Sequence, residues 1–212
     1  EAEQLFLRTL EIYEKNYGPD HPTVSTILSN LAFLFTNQGR YAEAEPLYKR
    51  SLVILEESYG QDHPDVSLSL GNLAFTYNEL GRYSEAEPLF LRALKNYEKT
   101  YGQDHPKVAW ILNNLGNLFM KQARYVEAEP LYKRALAIRE KILGQDHPDV
   151  AGSMTNLASL YDKQALYAMA EPLYKRALAI HEKVFGPEHP DVATGLDHLA
   201  SLYHDQGHYA EA

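Results

Sequence analysis

The chain has no cysteine, one tryptophan and three methionines among 212 residues. The lack of cysteine excludes disulfides, zinc–thiolate sites and thiol catalysis, and it fits a reducing compartment, so we expect a cytoplasmic protein. No apolar run has the length that a bilayer-spanning helix needs. Basic residues are also scarce, because 20 lysines and arginines face 29 acids, a net charge of −9, and they form no stripe. Since nucleic acids and anionic lipid surfaces require clustered Lys and Arg, we expect neither nucleic acid nor a membrane as a partner.

What the chain does contain is one short signal, Gly-x-x-His-Pro, that recurs every 42 residues (63 − 21, for example). The histidines of this signal are His21, His63, His105, His147 and His189. A fixed interval of this size is typical of an array in which each unit buries its apolar face by stacking on its neighbours. Function is then expected on a surface to which several units contribute.

Within one unit the apolar residues follow a helical period. Proline directly after the histidine suits the first position of a helix, and Gly39 and Gly81 follow the last turn of the first two copies as C-terminal signals. Ala123 and Ala165 replace that glycine in two copies, where the turn is less clearly marked. The first copy's stripe is Val24, Leu28, Leu31 and Phe35. First helices are predicted at about 22–38, 64–80, 106–122, 148–164 and 190–206, each followed by a second helix such as 41–59, so the fold is all-α.

The repeated pattern carries a family resemblance. Asn30-Leu31-Ala32, Phe35, Tyr41, Ala44, Tyr48 and Ser51, with their later copies, resemble the tetratricopeptide repeat. The longer 42-residue unit is similar to the repeats of kinesin light chains and related bacterial proteins. This resemblance implies a right-handed superhelical solenoid of antiparallel helix pairs, one array over residues 1–212 with about five repeats, whose first helices line a concave groove. Because the chain begins and ends within a repeat, we expect a piece of a longer protein.

The face of the first helices opposite the apolar stripe differs from copy to copy, which is typical of a surface free to specialise. We interpret it as the groove that binds a partner protein or peptide, because aromatic and apolar side chains there can serve as contact anchors. The alternative is that these side chains pack against a neighbouring repeat. The candidate contact residues are Phe33, Leu68, Phe75, Trp110, Asn117, Lys121 and Lys163.

A column of asparagines flanks this face: Asn30, Asn72, Asn114 and Asn156. An amide offers both a donor and an acceptor, so such a column can bind the backbone of an extended peptide. The competing interpretation is a structural amide that bonds between helices. The charge of the ligand stays open, since the two lysines favour an acidic peptide with an aromatic anchor, as the kinesin-light-chain resemblance would suggest, while the acid excess favours a basic one.

No chemistry is predicted. The five repeated histidines stand at helix entrances, where helix capping is their expected role. His204 and His208 have a metal-pair spacing, but Gly207 between them is expected to end the helix. No nucleophile elbow, phosphate loop or zinc-hydrolase motif occurs, so we expect no enzyme, metal or cofactor.

A second function class competes with peptide binding. The array could instead be a structural spacer or a self-associating sensor arm of a larger protein, whose ends stack on other repeats. End-to-end self-association would then depend on exposed residues at the two ends, including Leu5, Phe6 and Tyr209.

Overall fold

The structure, a computed structural model, describes residues 1–207, which form ten α-helices and no strand. In chain order they are α1 Ala2–Tyr17, α2 Pro22–Asn37, α3 Tyr41–Tyr59, α4 Pro64–Glu79, α5 Tyr83–Tyr101, α6 Pro106–Lys121, α7 Tyr125–Leu143, α8 Pro148–Lys163, α9 Tyr167–Phe185 and α10 Pro190–Asp205. The all-α prediction is confirmed. Each first helix begins at its predicted proline and ends one residue before the predicted bound. His208 and Tyr209 lie outside the described residues.

The contacts divide the chain into two units, Glu1–Gln103 and Asp104–Ala212. In the first unit, α2 pairs with α3 and α4 with α5 as helical hairpins, while α1 packs on α2 and α3 packs on α4. In the second unit, α6 pairs with α7 and α8 with α9, while α7 packs on α8 and α9 packs on α10. Consecutive helices inside a unit therefore cover one another, as stacked repeats require. No described helix is both long and apolar enough to cross a membrane.

The repeated histidine starts each first helix. Its Nδ1 accepts the backbone N–H of the residue two positions later, at 3.3 Å for His21, 3.2 Å for His63 and 3.1 Å for His147. A helix leaves its first N–H groups without intrahelical partners, so this bond is an N-cap. An aromatic ring from the preceding helix stacks on the imidazole in several copies, as Tyr59 does on His63 with ring centroids 4.6 Å apart. The prediction that these histidines cap helices is confirmed.

The first helices end in a left-handed residue. Gly39 has φ 72°, and the backbone N–H of Arg40 donates to the carbonyl of Phe35 at 2.9 Å. Ala123 and Ala165 adopt the same conformation with φ 56°, although they carry a Cβ. The turn is therefore kept in the two copies where its glycine signal is missing, at a conformational cost.

The core of each hairpin is formed by the predicted apolar stripe. In the first unit, Val24 and Leu28 of α2 are fully buried and pack with Ile54 of α3, and Leu47 and Leu10 lie against this cluster. The first helix of this repeat, α2, thus packs against two second helices, α1 on one side and α3 on the other.

Ion pairs repeat with the same register as the core. An arginine of one second helix reaches a glutamate of the second helix before it, as in Arg50–Glu14 at 2.6 Å and Arg176–Glu140 at 3.0 Å. A lysine near the end of a second helix reaches the acid before the first helix of its own hairpin. These pairs are Lys99–Asp62 at 2.6 Å, Lys141–Asp104 at 2.5 Å and Lys183–Asp146 at 2.5 Å.

Candidate functional site

The first unit contains a cleft of about 220 Å³ between α2 and α4. Three residues predicted from the sequence meet there: Asn30 is exposed, Asn72 is half-buried, and Leu68 is 43% exposed. The hydroxyl of Ser69 also lines the cleft, and it is buried without a hydrogen-bond partner among the described residues. A buried hydroxyl of this kind can bond a ligand that enters the cleft. The cleft thus combines an apolar contact with unused polar groups.

The two phenylalanines predicted as contact residues, Phe33 and Phe75, occupy different environments in the first unit. Phe33 on α2 is 57% exposed, so the structure does not bury it under a neighbouring helix. Phe75 on α4 is half-buried, and its ring meets the ring of Tyr41 edge-on with centroids 6.4 Å apart. Neither ring lines the cleft that Leu68 lines.

Trp110 and two asparagines of α6 lie in the second unit. Trp110 is half-buried, and its backbone carbonyl accepts a 2.8 Å bond from the amide of Asn114, which is 7% exposed. The side-chain carbonyl of Asn117 accepts the hydroxyl of Tyr132 at 2.6 Å. Both amides are therefore engaged inside the protein.

Among the remaining predicted residues, one is bonded within the protein and two are exposed. Asn156 on α8 donates to the side-chain carbonyl of Asn113 on α6 at 2.7 Å, a bond between two helices. Lys121 and Lys163 are exposed at the ends of α6 and α8. The asparagine column is thus not uniform, because Asn114 and Asn156 bond within the protein whereas Asn30 and Asn72 line a cleft.

A larger cleft, of about 510 Å³, lies in the second unit between α8 and α10, with α9 behind it. Asn156 was predicted among its residues, and most of the others were not. The ring of His198 stacks on Tyr174, with centroids 5.1 Å apart and an interplanar angle of 9°, which fixes its orientation. Further lining residues include Arg139, Gly152, Thr155, His181, Thr194 and Asp191.

Arg139 is one of the cleft residues that were not predicted from the sequence. Its Nη1 donates to the hydroxyl of Ser153 at 2.5 Å and to the carbonyl of Asp149 at 3.3 Å. Burial lowers the pKa of Arg139 from its ordinary value, and the charge of Asp149 opposes that shift. Arginine still carries its charge at neutral pH. The guanidinium is thus a partly desolvated cation that, among the described residues, has no carboxylate within ion-pair distance.

A comparison of repeat positions could have found this residue. The positions equivalent to Arg139 hold Tyr13, Leu55, Tyr97 and His181. A cation in a column that is otherwise mostly aromatic or apolar is a signal of specialisation. The predicted contact residues all lie on the first helices, whereas this column belongs to the second helices.

The described residues contain no group of three or more His, Asp or Glu side chains arranged to hold a metal ion. The repeated histidines are engaged in caps, and the partner of the His204 pair lies outside the described residues.

Comparisons with known proteins agree with this architecture. Family models described as "Tetratricopeptide repeat" match residues 23–99, 66–141, 107–183 and 156–212, and another matches residues 1–23. No curated protein matches the chain.

Solved structures are similar over nearly the whole chain. The crystal structure of BtubC (BKLC) from P. vanneervenii is 26% identical, with a TM-score of 0.82 over 99% of this chain and 85% of that chain. Two crystal structures of a putative kinesin light chain with nearly identical TPR-like repeats from Podosopora anserina, one of them with a single substitution, are 26% and 27% identical. Each superposes on this protein with a TM-score of 0.77, over 90% of this chain and 90% of that chain.

Proposed function

Because the chain belongs to the tetratricopeptide repeat family, whose domains generally mediate protein interactions and are typically non-catalytic, we propose that it binds partner segments at its first helices. The proposal places one contact in the cleft of each unit. A peptide or an exposed loop is the expected ligand, because both clefts are lined by apolar and by polar side chains.

The observation that carries the proposal is the cation of Arg139 in the larger cleft. A charge that is partly desolvated and lacks a carboxylate partner gains from an anionic ligand more than an exposed charge does. A planar guanidinium can also hold a carboxylate with two parallel hydrogen bonds. We therefore infer that the ligand places an aspartate or glutamate side chain in this cleft.

In the first unit, the proposed contact is smaller. Leu68 would pack against an apolar side chain, while Asn30 and Asn72 would bond the ligand backbone. Phe33, Phe75 and Trp110 are proposed as further apolar anchors, since aromatic residues are frequent among binding hot spots. Lys121 and Lys163 are proposed as exposed cations that attract the same acidic ligand.

A peptide-library selection on the whole chain tests the proposal. We expect enriched peptides to share an acidic position, and its replacement by the matching amide should weaken binding. Arg139→Ala should weaken binding about 30-fold or more, which corresponds to about 2 kcal/mol. Arg176→Ala is the matched control, because Arg176 already pairs with Glu140 and does not line the cleft.

The apolar anchors are tested with the same peptides. Trp110→Ala, Phe75→Ala and Leu68→Ala should each weaken capture while the helicity by circular dichroism stays unchanged. If the enriched peptides bind all of these variants and Arg139→Ala as tightly as the unchanged chain, the proposed contacts are wrong.

A further inference from the structure

The smaller cleft of the first unit contains a buried hydroxyl that the protein itself does not use. Ser69 of α4 is 2% exposed and lines the cleft, and its Oγ has no hydrogen-bond partner among the described residues. An unbonded buried hydroxyl destabilises a fold, so we expect its partner to come from a ligand. The repeat does not require serine here, since the other copies have Ile27, Ile111, Ser153 and Gly195.

Ser153, the equivalent serine of the second unit, shows which partner such a hydroxyl takes. Its Oγ accepts a hydrogen bond from Nη1 of Arg139 at 2.5 Å and donates to the carbonyl of Asp149 at 3.1 Å. In the first unit, the position of Arg139 is occupied by Leu55, which lines the cleft and has no side-chain donor. A cation therefore bonds this hydroxyl in the second unit, and the first unit has an apolar side chain in its place.

Two further hydroxyls of the smaller cleft can only accept hydrogen bonds from a ligand. Ser25 donates its one proton to the carbonyl of Pro22 at 2.6 Å, and Ser51 donates its proton to the carbonyl of Ser25 at 3.1 Å. In the 2.8 Å contact between Ser29 and Ser51, the hydroxyl of Ser29 is therefore the donor. Since a hydroxyl has only one proton, Ser25 and Ser29 offer lone pairs to the cleft that they line.

The charge of the cleft is negative. Asp65 lines it, and none of the described lining residues is a lysine, an arginine or a histidine. Nδ1 of His63 lies 3.7 Å from the carboxylate, but this nitrogen accepts the backbone N–H of Asp65 at 3.2 Å and so has no proton to donate. Within residues 1–207, no lysine or arginine forms an ion pair with Asp65. An acceptor-rich, negative cleft favours a ligand group that donates hydrogen bonds and carries a positive charge.

We propose that the smaller cleft binds a lysine side chain of the partner segment. An ammonium group has three N–H donors and no acceptor, so it suits a cleft in which hydroxyls and a carboxylate accept. The four-carbon stem would lie along Leu68, which is 43% exposed, and this stem supplies the apolar contact of that residue. The inference rests on the proposed function, which places a partner segment at this cleft, and it names the side chain that enters.

Titration of Nα-acetyl-lysine methylamide into the 212-residue chain, followed by NMR of the backbone amides, tests this site. We expect the amide signals of Ser69 and Asn72 to shift with a Kd of about 1 mM, as is usual for so small a ligand. Two control probes keep the apolar stem without the charge: the norleucine analogue lacks the ammonium group, and Nε-acetyl-lysine has a neutral amide instead. Both should bind at least about tenfold more weakly than lysine.

Variants separate a binding role from a structural one. Ser69→Ala should weaken lysine binding about tenfold, because a hydrogen bond to a charged group is lost. The free energy of unfolding should not fall, since Ser69 bonds nothing in the free protein. Asp65→Asn should weaken binding about three- to fivefold, because its side chain is 59% exposed and solvent screens the attraction. Asp62→Asn is the matched control, since Asp62 pairs with Lys99 at 2.6 Å and does not line the cleft.

Three results would overturn the inference: equal binding of the lysine and norleucine probes, no shifted cleft signal at lysine concentrations well above the expected Kd, or lysine binding that neither Ser69→Ala nor Asp65→Asn weakens. None of them bears on peptide capture at Arg139, because that residue lies in the other unit. A selection that enriches no peptide would refute the proposed function, while the titration would still decide whether the cleft binds lysine. The two failures are therefore distinguishable.

Discussion

Replacing Ala123 and Ala165 by glycine should stabilise the protein. Both alanines have φ 56°, and the bonds around them are those of a glycine C-cap, with the N–H of Arg124 donating to the carbonyl of Phe119 at 2.8 Å. The left-handed conformation costs an L-residue about 1–2 kcal/mol. Glycine avoids that cost, but it raises the conformational entropy of the unfolded chain, which lowers the free energy of unfolding by about 0.4–1 kcal/mol. The expected net gain is therefore about 0.5–1 kcal/mol for each substitution.

The double variant should gain about 1–2 kcal/mol, because the two turns lie one repeat apart and their backbone hydrogen bonds involve different residues. Urea unfolding followed by circular dichroism measures the effect as an increased midpoint at constant slope. In a chain of this length, thermal unfolding should shift upward by about 2–4 °C for each kcal/mol. Stacked repeats can unfold in stages, so the urea midpoint is the preferred readout.

Matched controls separate this effect from a general effect of glycine. Ala137→Gly and Ala179→Gly make the same change at exposed positions inside α7 and α9, where each should cost about 1 kcal/mol. Gly39→Ala is the reverse test, since a Cβ there would meet no atom within 4 Å and only the backbone conformation opposes it. If Ala123→Gly destabilises as much as Ala137→Gly does, the left-handed turn and the reasoning built on it are refuted.

Three further predictions concern the scaffold. His147→Ala should cost about 1 kcal/mol in urea unfolding because the cap to Asp149 is lost, whereas His147→Asn should retain most of it; equal losses would argue against capping. Gly116→Ala should lower the stability by about 1 kcal/mol or more, because the new Cβ would lie 2.7 Å from the ring of Tyr132. The other copies hold alanine at this position, so a gain in stability would show that the ring moves at little cost. Hydrogen bonds from arginines and lysines lower the pKa of Glu43, Glu85, Asp62 and Asp104, so the melting temperature should be flat near neutrality and should fall as the pH drops below about 4.5; an unchanged melting temperature at lower pH would contradict this.

The lowered pKa values of these four carboxyls determine how acid changes the free energy of unfolding. A carboxyl with a lower pKa in the folded state binds its proton less readily there than in the unfolded chain. Its stabilising contribution is therefore complete above the unfolded pKa and is lost as the pH falls through the folded value. Because these groups are exposed, each contributes little, and the repeated register makes their sum measurable.

Most of the fold could be predicted from the sequence because each of its determinants is local and repeated. A histidine, a proline and an apolar stripe with the helical period of about 3.6 residues fix the start and the buried face of every first helix. The exceptions were the turns at Ala123 and Ala165, where the residue type disfavours the conformation that the flanking hydrogen bonds impose. Tertiary packing decides such positions, and one repeat's own sequence does not reveal it.

The candidate site could be predicted less well, because a side chain's role depends on what faces it from another helix. Asn72 and Asn114 occupy the same repeat position, yet the first lines a cleft and the second bonds the carbonyl of Trp110. Arg139 was missed because it reaches the cleft from a second helix, between two first helices. Such a convergence depends on the packing of three helices, which no single helical period encodes.

The differences between equivalent positions are therefore where the function of this array is best sought. At the position of Arg139, the first unit has Leu55, which lines the smaller cleft beside Leu68, whereas the second unit has a cation beside Asn156 and His198. The same scaffold thus offers an apolar contact in one unit and a charged one in the other. A ligand that carries only an acidic group should be weakened by Arg139→Ala and not by Leu68→Ala, and one that carries only an apolar group should show the reverse. Exchanging the side chains at the equivalent positions, by Leu55→Arg with Arg139→Leu, should move the preference for an acidic group from the larger cleft to the smaller one if the lining residues, and not the repeat itself, determine what is bound.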